Sequence, residues 1–499
     1  MNVRIADGEI AGTGDAVRVY RGIPYAAPPV GALRWCPPQP AQPWSGVRDG
    51  SRFGADPMQL VHTLPVRRSL APGVSEDCLF LNVWAPAETP PGGAPVAVWF
   101  DGGGYIAMSG ARARIHGERY AQRGIVFVTV NYRVGVFGYL AHPALTAESP
   151  HASSGNYGLL DAIAALRWVR ANIAAFGGDP ARVTAFGGSA GAATCAFVLT
   201  SPLAAGLVDR AILRAPSALR PMCDLATAEA AGRRALGDDL AAMRALSAAD
   251  VLALNDAVDG PPAPLTVARP LRPIVDGWVL ECSDRAAFES GAFAAVPLIV
   301  GNAAGEGGEL VAAAPTSALA HGNESLAARV NTRERLRAFF AGQFGPALDE
   351  AWAAYGAASD ADVHPRLAAM WGDMMSYYGV RGLARASAAR QPQTYRYVFA
   401  HAGPQTLDPP GHGDDMTYVF GSGDFDERER AISDTIVDLF ARFIATGDPN
   451  GPGLPAWAPY DPARDNALLL GRGFVETERW RADGAAFAER VYRAAAAAV

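Results

Sequence analysis

The sequence predicts an α/β chain built on a large, mostly parallel sheet covered by helices. Strand-like runs recur at 96–100 (VAVWF), 125–131 (IVFVTVN), 183–186 (VTAF), 296–300 (VPLIV) and 394–399 (TYRYVF). Helical patterns separate several of them. Half of the 499 residues are hydrophobic and 19% are charged, so the chain can bury a sizeable core.

Each element follows from local chemistry. The first fifty residues include GIPYAAPPVGALRWCPPQP, too proline-rich for a central strand or a long helix, and are expected to form an irregular layer on the surface. Residues 86–95 (PAETPPGGAP) read as an exposed loop. Between IVFVTVN and VTAF, Leu159, Ile163, Leu166, Val169 and Ile173 fall at helical spacing, and Gly177, Gly178 and Pro180 stop the helix. That unit is a strand, a crossover helix and a strand. From about 220 to 390 the pattern turns mainly helical, as in ATAEAAGRRALGDDLAAMRAL and RERLRAFFAGQF. A helical subdomain inserted in a single domain spanning residues 1–499 accounts for it, and such insertions shape a substrate gorge. The AAAAAV tail reads as the end of a last helix.

Composition removes several function classes. The net charge of −7 gives no electrostatic reason to expect nucleic acid or an anionic membrane as partner. All 43 basic residues are arginine, which excludes a Walker-type phosphate loop and a pyridoxal Schiff base. Cys36, Cys78, Cys195, Cys223 and Cys282 form an odd set without a CxxC pair, which argues against a zinc cluster and for a reducing compartment. The opening MNVRIADGEI lacks a signal-peptide pattern, and no apolar stretch of about 18 residues occurs, so the expectation is a soluble cytoplasmic protein.

The motifs with chemistry start at VAVWFDGGGYI. Bare backbone N–H groups after a strand cradle either a phosphate or the oxyanion of an acyl-transfer intermediate. In VTAFGGSAGAATCAF, Gly187, Ser189 and Gly191 make a GxSxG pattern between a strand and an Ala-rich helix, the context of a nucleophile elbow. A serine is a weak nucleophile without a base and a carboxylate that orients the base, and in this arrangement the chain order is serine, acid, histidine. Four histidines follow Ser189: His321, His364, His401 and His412. His412, in PPGHGDDMTYVFG after the strand TYRYVF, is best placed for the base, with His401 in reserve and the other two read as surface residues. For the acid, VPLIVGNAAGEGGEL puts Glu306 among glycines directly after a strand.

With these motifs, and with RGIPYAAPPVGALRW, SEDCLFLNVWAP, NYRVGVFGYL, GNYGLLDAIAALRWVRANIAAFGGDPARVTAFGGSAGA and FIATGDPNGPG in order, the chain resembles a type-B carboxylesterase. This is the branch of the α/β-hydrolase fold that also contains cholinesterases and para-nitrobenzyl esterases. The resemblance implies an α/β-hydrolase fold with helical insertions around a gorge. It also implies a small-molecule ester substrate and no metal or organic cofactor. It makes Ser189 the nucleophile, Glu306 the triad acid and His412 the general base, and puts the oxyanion donors at the N–H groups of Gly103, Gly104 and Ala190. Arg34 and Glu76 match a buried structural bridge of the family, and Cys78 matches a disulfide-bonded cysteine whose partner position is Pro57 here.

The chain departs from the family at four places. Gly188 stands where relatives carry Glu, Asp101 where they carry His or Tyr, Gly305 where they carry Asp, and Ala162 where they carry Gln. Asp101 and Gly188 are therefore the residues expected to tune the site. An ionised Asp101 aimed at the oxyanion would oppose it by several kcal/mol if desolvated, so its carboxylate is expected either to turn away to an arginine or backbone donor, or to serve an amine-bearing substrate.

Three other functions compete with this reading. Gly102, Gly104 and Ala107 satisfy the loosest dinucleotide fingerprint, but the next strand ends in Asn131 and Tyr132 rather than a ribose-binding acid. An acyltransferase would keep the same triad and replace water by an alcohol or amine. A non-catalytic binding protein of this fold would lack the triad, whereas all three residues are present.

Overall fold

The computed structural model describes residues 2–59, 68–261, 263–312 and 325–497. Ten strands make the central sheet: β1 (Val17–Pro24), β2 (Phe80–Pro86), β3 (Ala94–Phe100), β4 (Val126–Val130), β5 (Gly178–Gly188), β6 (Arg210–Arg214), β7 (Leu298–Ala303), β8 (Thr394–Phe399), β9 (Asn466–Leu470) and β10 (Glu476–Glu478). They lie in the order β10-β9-β8-β7-β6-β5-β3-β4-β2-β1. Every pairing from β9 across to β4 is parallel, and the pairings at both edges are antiparallel.

The parallel part needs cover on both faces, and β3 shows how the sequence supplies it. Its residues are all buried, with Val96, Val98 and Phe100 in one apolar cluster and Ala97 and Trp99 in the other. The first cluster takes in helices α1 (Tyr157–Asn172) and α2 (Ala190–Thr200). The second takes in α3 (Asp414–Phe420) and α4 (Glu427–Thr446). The crossover reading holds in detail: Leu159, Ile163, Leu166, Val169 and Ile173 are all buried, and Gly177 closes the segment at φ 87°.

All five strand runs read from the sequence are strands, VTAF being the centre of the longer β5. The other five strands escaped that reading. In β6 the cause is local: Ala211, Ile212 and Leu213 are bounded by Arg210 and Arg214, a pattern too short and too charged to read as buried strand. The N-terminus is also more regular than expected. Residues 2–5, 8–11 and 47–49 form a small three-stranded sheet, and β1 pairs along the sheet edge with β2. The prolines begin only at Pro24, and the stretch they dominate, 25–46, carries one short 3₁₀ turn at 31–33.

Helices fill most of the chain between Leu225 and Ala388, in two groups on either side of β7. The last helix spans Ala482–Ala497. Among the described residues, no helix is long and apolar enough to cross a membrane. The family-implied bridge is present: Arg34 Nε and Nη2 donate to the two Glu76 oxygens at 2.7 and 2.6 Å. Cys78 is a buried free thiol.

Candidate active site

β5 ends in the turn that carries Ser189. The serine takes φ 56° and ψ −122°, a conformation that costs a non-glycine residue on the order of 1–3 kcal/mol, and α2 starts at the next residue. The flanking glycines make the turn sterically possible. A Cβ on Gly187 would run into the carbonyl of Gly191, and one on Gly191 into the carbonyl of Phe100. The Ser189 N–H is tied down by the Arg214 carbonyl at 2.8 Å, at the end of β6.

The loops after β7 and β8 bring Glu306 and His412 to this turn. His412 Nε2 lies 2.9 Å from Ser189 Oγ, and His412 Nδ1 lies 2.5 Å from Glu306 Oε2. A carboxylate at Nδ1 selects the tautomer with its proton there, leaving Nε2 to accept the serine proton. Glu306 Oε1 accepts the Ala303 N–H at 2.7 Å, so both carboxylate oxygens are held. Burial alone would raise the Glu306 carboxyl, but the charge and hydrogen bond of His412, with Arg214 beyond, hold it below the ordinary carboxylate range.

The two loops are fitted to each other. Gly305 N–H donates to the Pro410 carbonyl at 2.8 Å, and a Cβ at 305 would stand 2.8 Å from Pro409 Cγ. A side chain at 305 would therefore collide with the His412 loop. From the helical side, the Tyr377 hydroxyl donates to the Ala303 carbonyl at 2.6 Å and supports the Glu306 turn.

The other histidines are elsewhere. His401 Nε2 bonds to both oxygens of Glu429, at 2.9 and 3.0 Å. His364 is exposed and bonds to the Ala327 carbonyl at 2.9 Å. His321 lies outside the described residues, as do residues 313–324 around it.

The glycine-rich loop closes against the Ser189 turn. A Cβ on Gly102 would stand 2.8 Å from Ser189 Cβ and closer still to the Gly188 carbonyl oxygen. Gly103 and Gly104 take φ 142° and 64°, which favour glycine, and the position of a Gly104 Cβ faces open space. Ala190 is the first residue of α2, so its N–H is one of the free donors at that helix start.

Asp101 does not face the open space beyond this loop. Its Oδ2 accepts the Ser109 N–H at 3.0 Å and pairs with Arg112 Nε at 2.8 Å, with the carboxylate almost fully buried. Of the two alternatives read from sequence, the structure shows the turn toward an arginine and a backbone donor. Arg112 also donates through Nη2 to the Gly102 carbonyl at 3.2 Å. A trans peptide is planar with C=O and N–H opposed, so this bond aims the Gly103 N–H the other way.

Three neighbours were not found by sequence reasoning: Arg112, Arg214 and Asp415. Arg214 Nε donates to Asp415 Oδ1 at 2.5 Å, and both side chains are buried. A Cβ on Gly188 would stand 2.8 Å from Arg214 Nη1 and 3.0 Å from Trp99. An arginine from the neighbouring strand thus lies where a side chain at 188 would start. Asp415 could have been suspected from its place three residues after His412; nothing local marks Arg112 or Arg214.

Comparison with known proteins gives the family. The model of the Carboxylesterase family matches residues 2–485. The chain is 42% identical over 416 residues to the Fumonisin B1 esterase of Sphingopyxis macrogoltabida, covering 83% of this chain and 74% of that protein. It is 31% identical over 498 residues to Carboxylesterase 1C of Rattus norvegicus, covering 94% and 88%. It is likewise 31% identical over 484 residues to the rat Pyrethroid hydrolase Ces2e, covering 90% and 81%. A matching family model over nearly the whole length, three esterase or hydrolase relatives and the mostly parallel helix-covered sheet together show that the chain belongs to the carboxylesterase family of α/β-hydrolases.

Proposed function

We propose that Ser189, His412 and Glu306 carry the ester hydrolysis of this carboxylesterase, with the N–H groups of Gly103, Gly104 and Ala190 as the oxyanion hole. The observation that supports it most is the unbroken line from Ser189 Oγ through His412 to Glu306, at 2.9 and 2.5 Å. Ser189 Oγ attacks the ester carbonyl while His412 Nε2 takes its proton. Glu306 steadies the imidazolium, and the carbonyl oxygen, now an oxyanion, moves toward the three N–H groups. Each such donor contributes on the order of 3 kcal/mol to the transition state. His412 then protonates the leaving alcohol, and a water activated by the same imidazole releases the acid. No step requires a metal or an organic cofactor.

The Asp101–Arg112 pair fits this scheme as a brace. It keeps a carboxylate away from the developing oxyanion and sets the peptide that presents the Gly103 N–H. Fumonisin B1 is the first natural ester to assay, on the strength of the 42% identity to an esterase named for it. A cytoplasmic location belongs to the same proposal and is supported by five free cysteines.

A fluorophosphonate probe tests the nucleophile. The folded protein is expected to label at Ser189, and Ser189→Ala is expected to lose both label and turnover. Equal labelling of Ser189→Ala would overturn the assignment.

A further inference from the structure

The loop that carries His412 is fastened at both feet by a buried carboxylate outside the triad. It leaves the sheet after β8, through His401, and ends where α3 begins at Asp414. Glu429, in the first turn of α4, lies between these feet. His401 Nε2 faces its Oε1 and Oε2 at 2.9 and 3.0 Å, and the Tyr418 hydroxyl of α3 donates to Oε2. An imidazole nitrogen set against two carboxylate oxygens carries its proton, so both feet donate to the same acceptor.

The junction is sealed by the loop itself. His401, Tyr418 and Glu429 are all buried. A Cβ on Gly403 would stand 2.7 Å from His401 Nε2, 2.8 Å from Glu429 Oε2 and 2.9 Å from the Tyr418 hydroxyl, so the chain passes directly over the three groups and only a bare Cα fits there. Burying a carboxylate is costly, and an apolar cluster of similar volume is often as stable or more so. What an apolar cluster lacks is direction: satisfied buried hydrogen bonds specify one relative placement of the segments they join. The other ties of the loop act further along it. Asp414 Oδ2 accepts the Leu407 and Gly411 N–H groups at 2.8 and 2.7 Å, and the Gly305 N–H joins the Pro410 carbonyl to the Glu306 loop. Glu429 joins the two feet to each other through a third element.

We infer that Glu429 is a positioning residue for the general base: by joining His401 to Tyr418 it sets the span of the loop between them, and with it the 2.9 Å approach of His412 Nε2 to Ser189 Oγ. Both of its oxygens are taken up by the two feet, so it acts on His412 through the loop. Proton transfer from the serine depends steeply on that approach, and a shift of about 1 Å can cost about 10²-fold in rate.

This inference rests on the triad proposed above, and the experiment separates the two. A proton held between a histidine Nδ1 and a carboxylate resonates far downfield of the amides in proton NMR, so the His412–Glu306 bond reports its own geometry. Wild type, Glu429→Leu, Glu429→Gln and Tyr418→Phe are compared in that resonance, in thermal unfolding, and in kcat and KM on a p-nitrophenyl ester. Glu429→Leu is expected to lower kcat about 10- to 100-fold with KM within about twofold, and to broaden or erase the downfield proton. Glu429→Gln keeps an acceptor for Tyr418 and a polar group for His401, and is expected to recover most of the loss. Wild-type kcat and an unchanged resonance in folded Glu429→Leu would overturn the inference; if that variant does not fold, the same result in Tyr418→Phe, which frees one foot, would do so. A Gln variant as impaired as the Leu variant would also overturn it, because hydrogen bonding at 429 would then not be what places the loop. The downfield proton is expected to vanish in His412→Gln. Its persistence there would overturn the triad reading, whereas its loss there with an unmoved signal and kcat in Glu429→Leu would overturn the role of Glu429 and leave the triad standing.

Discussion

Replacing Gly102 by alanine tests the oxyanion geometry with a single methyl group. The added Cβ would lie 2.8 Å from Ser189 Cβ and closer to the Gly188 carbonyl oxygen. Neither obstacle is the free end of a flexible side chain. Ser189 is fixed by its N–H bond to Arg214, and the Gly188 carbonyl belongs to the end of β5. Ordinary contact therefore requires the loop to withdraw by on the order of 1 Å, a misplacement that can cost about 10²-fold. The Gly103 and Gly104 donors move with it, and weakening one donor substantially costs about 3 kcal/mol, again roughly 10²-fold. Gly102→Ala should thus lower kcat on a p-nitrophenyl ester by about 10²- to 10³-fold, with KM changed far less. Labelling by a fluorophosphonate should slow in parallel, because its phosphoryl oxygen occupies the same hole. The protein should still unfold cooperatively near the wild-type temperature. A kcat within threefold of wild type would refute the placement of this loop against Ser189.

Two further outcomes follow from buried charges. Arg112→Met strands the Asp101 carboxylate, which is 1% exposed, and should cost about 3–5 kcal/mol in urea unfolding. Asp101→Asn/Arg112→Met should recover most of that stability but not kcat, because the Gly102 carbonyl still lacks its donor; full recovery of both would show that the brace has no part in catalysis. Asp284 sets a pH dependence. Burial pushes its carboxyl from 3.8 up to about 6, although the Leu219 and Arg285 N–H groups oppose this. The folded state thus holds a proton that the unfolded state releases. This contribution is fully present below about pH 4 and is lost as pH rises through 6, about 3 kcal/mol in all. Asp284→Asn should therefore gain stability relative to wild type between pH 5 and pH 8, measured by urea unfolding at each pH. A constant difference would contradict the buried carboxyl.

Much of the candidate site was legible because its requirements are local. The GxSxG turn, the glycines before Tyr105 and Glu306 in its glycine-rich loop each sit at the end of a strand that a few apolar residues announce. His412 was separable from His401 by loop placement, and in the structure it is His401 that is engaged with Glu429. The first fifty residues were less legible, since their strands lie at a sheet edge and in a small separate sheet where the apolar pattern is weak.

The sequence by itself determined the alternation of strands and helices, the elbow and the order serine, acid, histidine, because these depend on spacing along the chain and on backbone freedom at glycine. Only the tertiary structure decided what the unusual residues do. Asp101 is turned from the glycine-loop backbone to Arg112, eleven residues on, which pairs with its charge. A side chain at Gly188 would meet Arg214 from an adjacent strand, and one at Gly305 would meet Pro409. Such choices are contacts across loops and between neighbouring strands, where excluded volume and charge pairing operate through space and leave no periodicity for the chain to display.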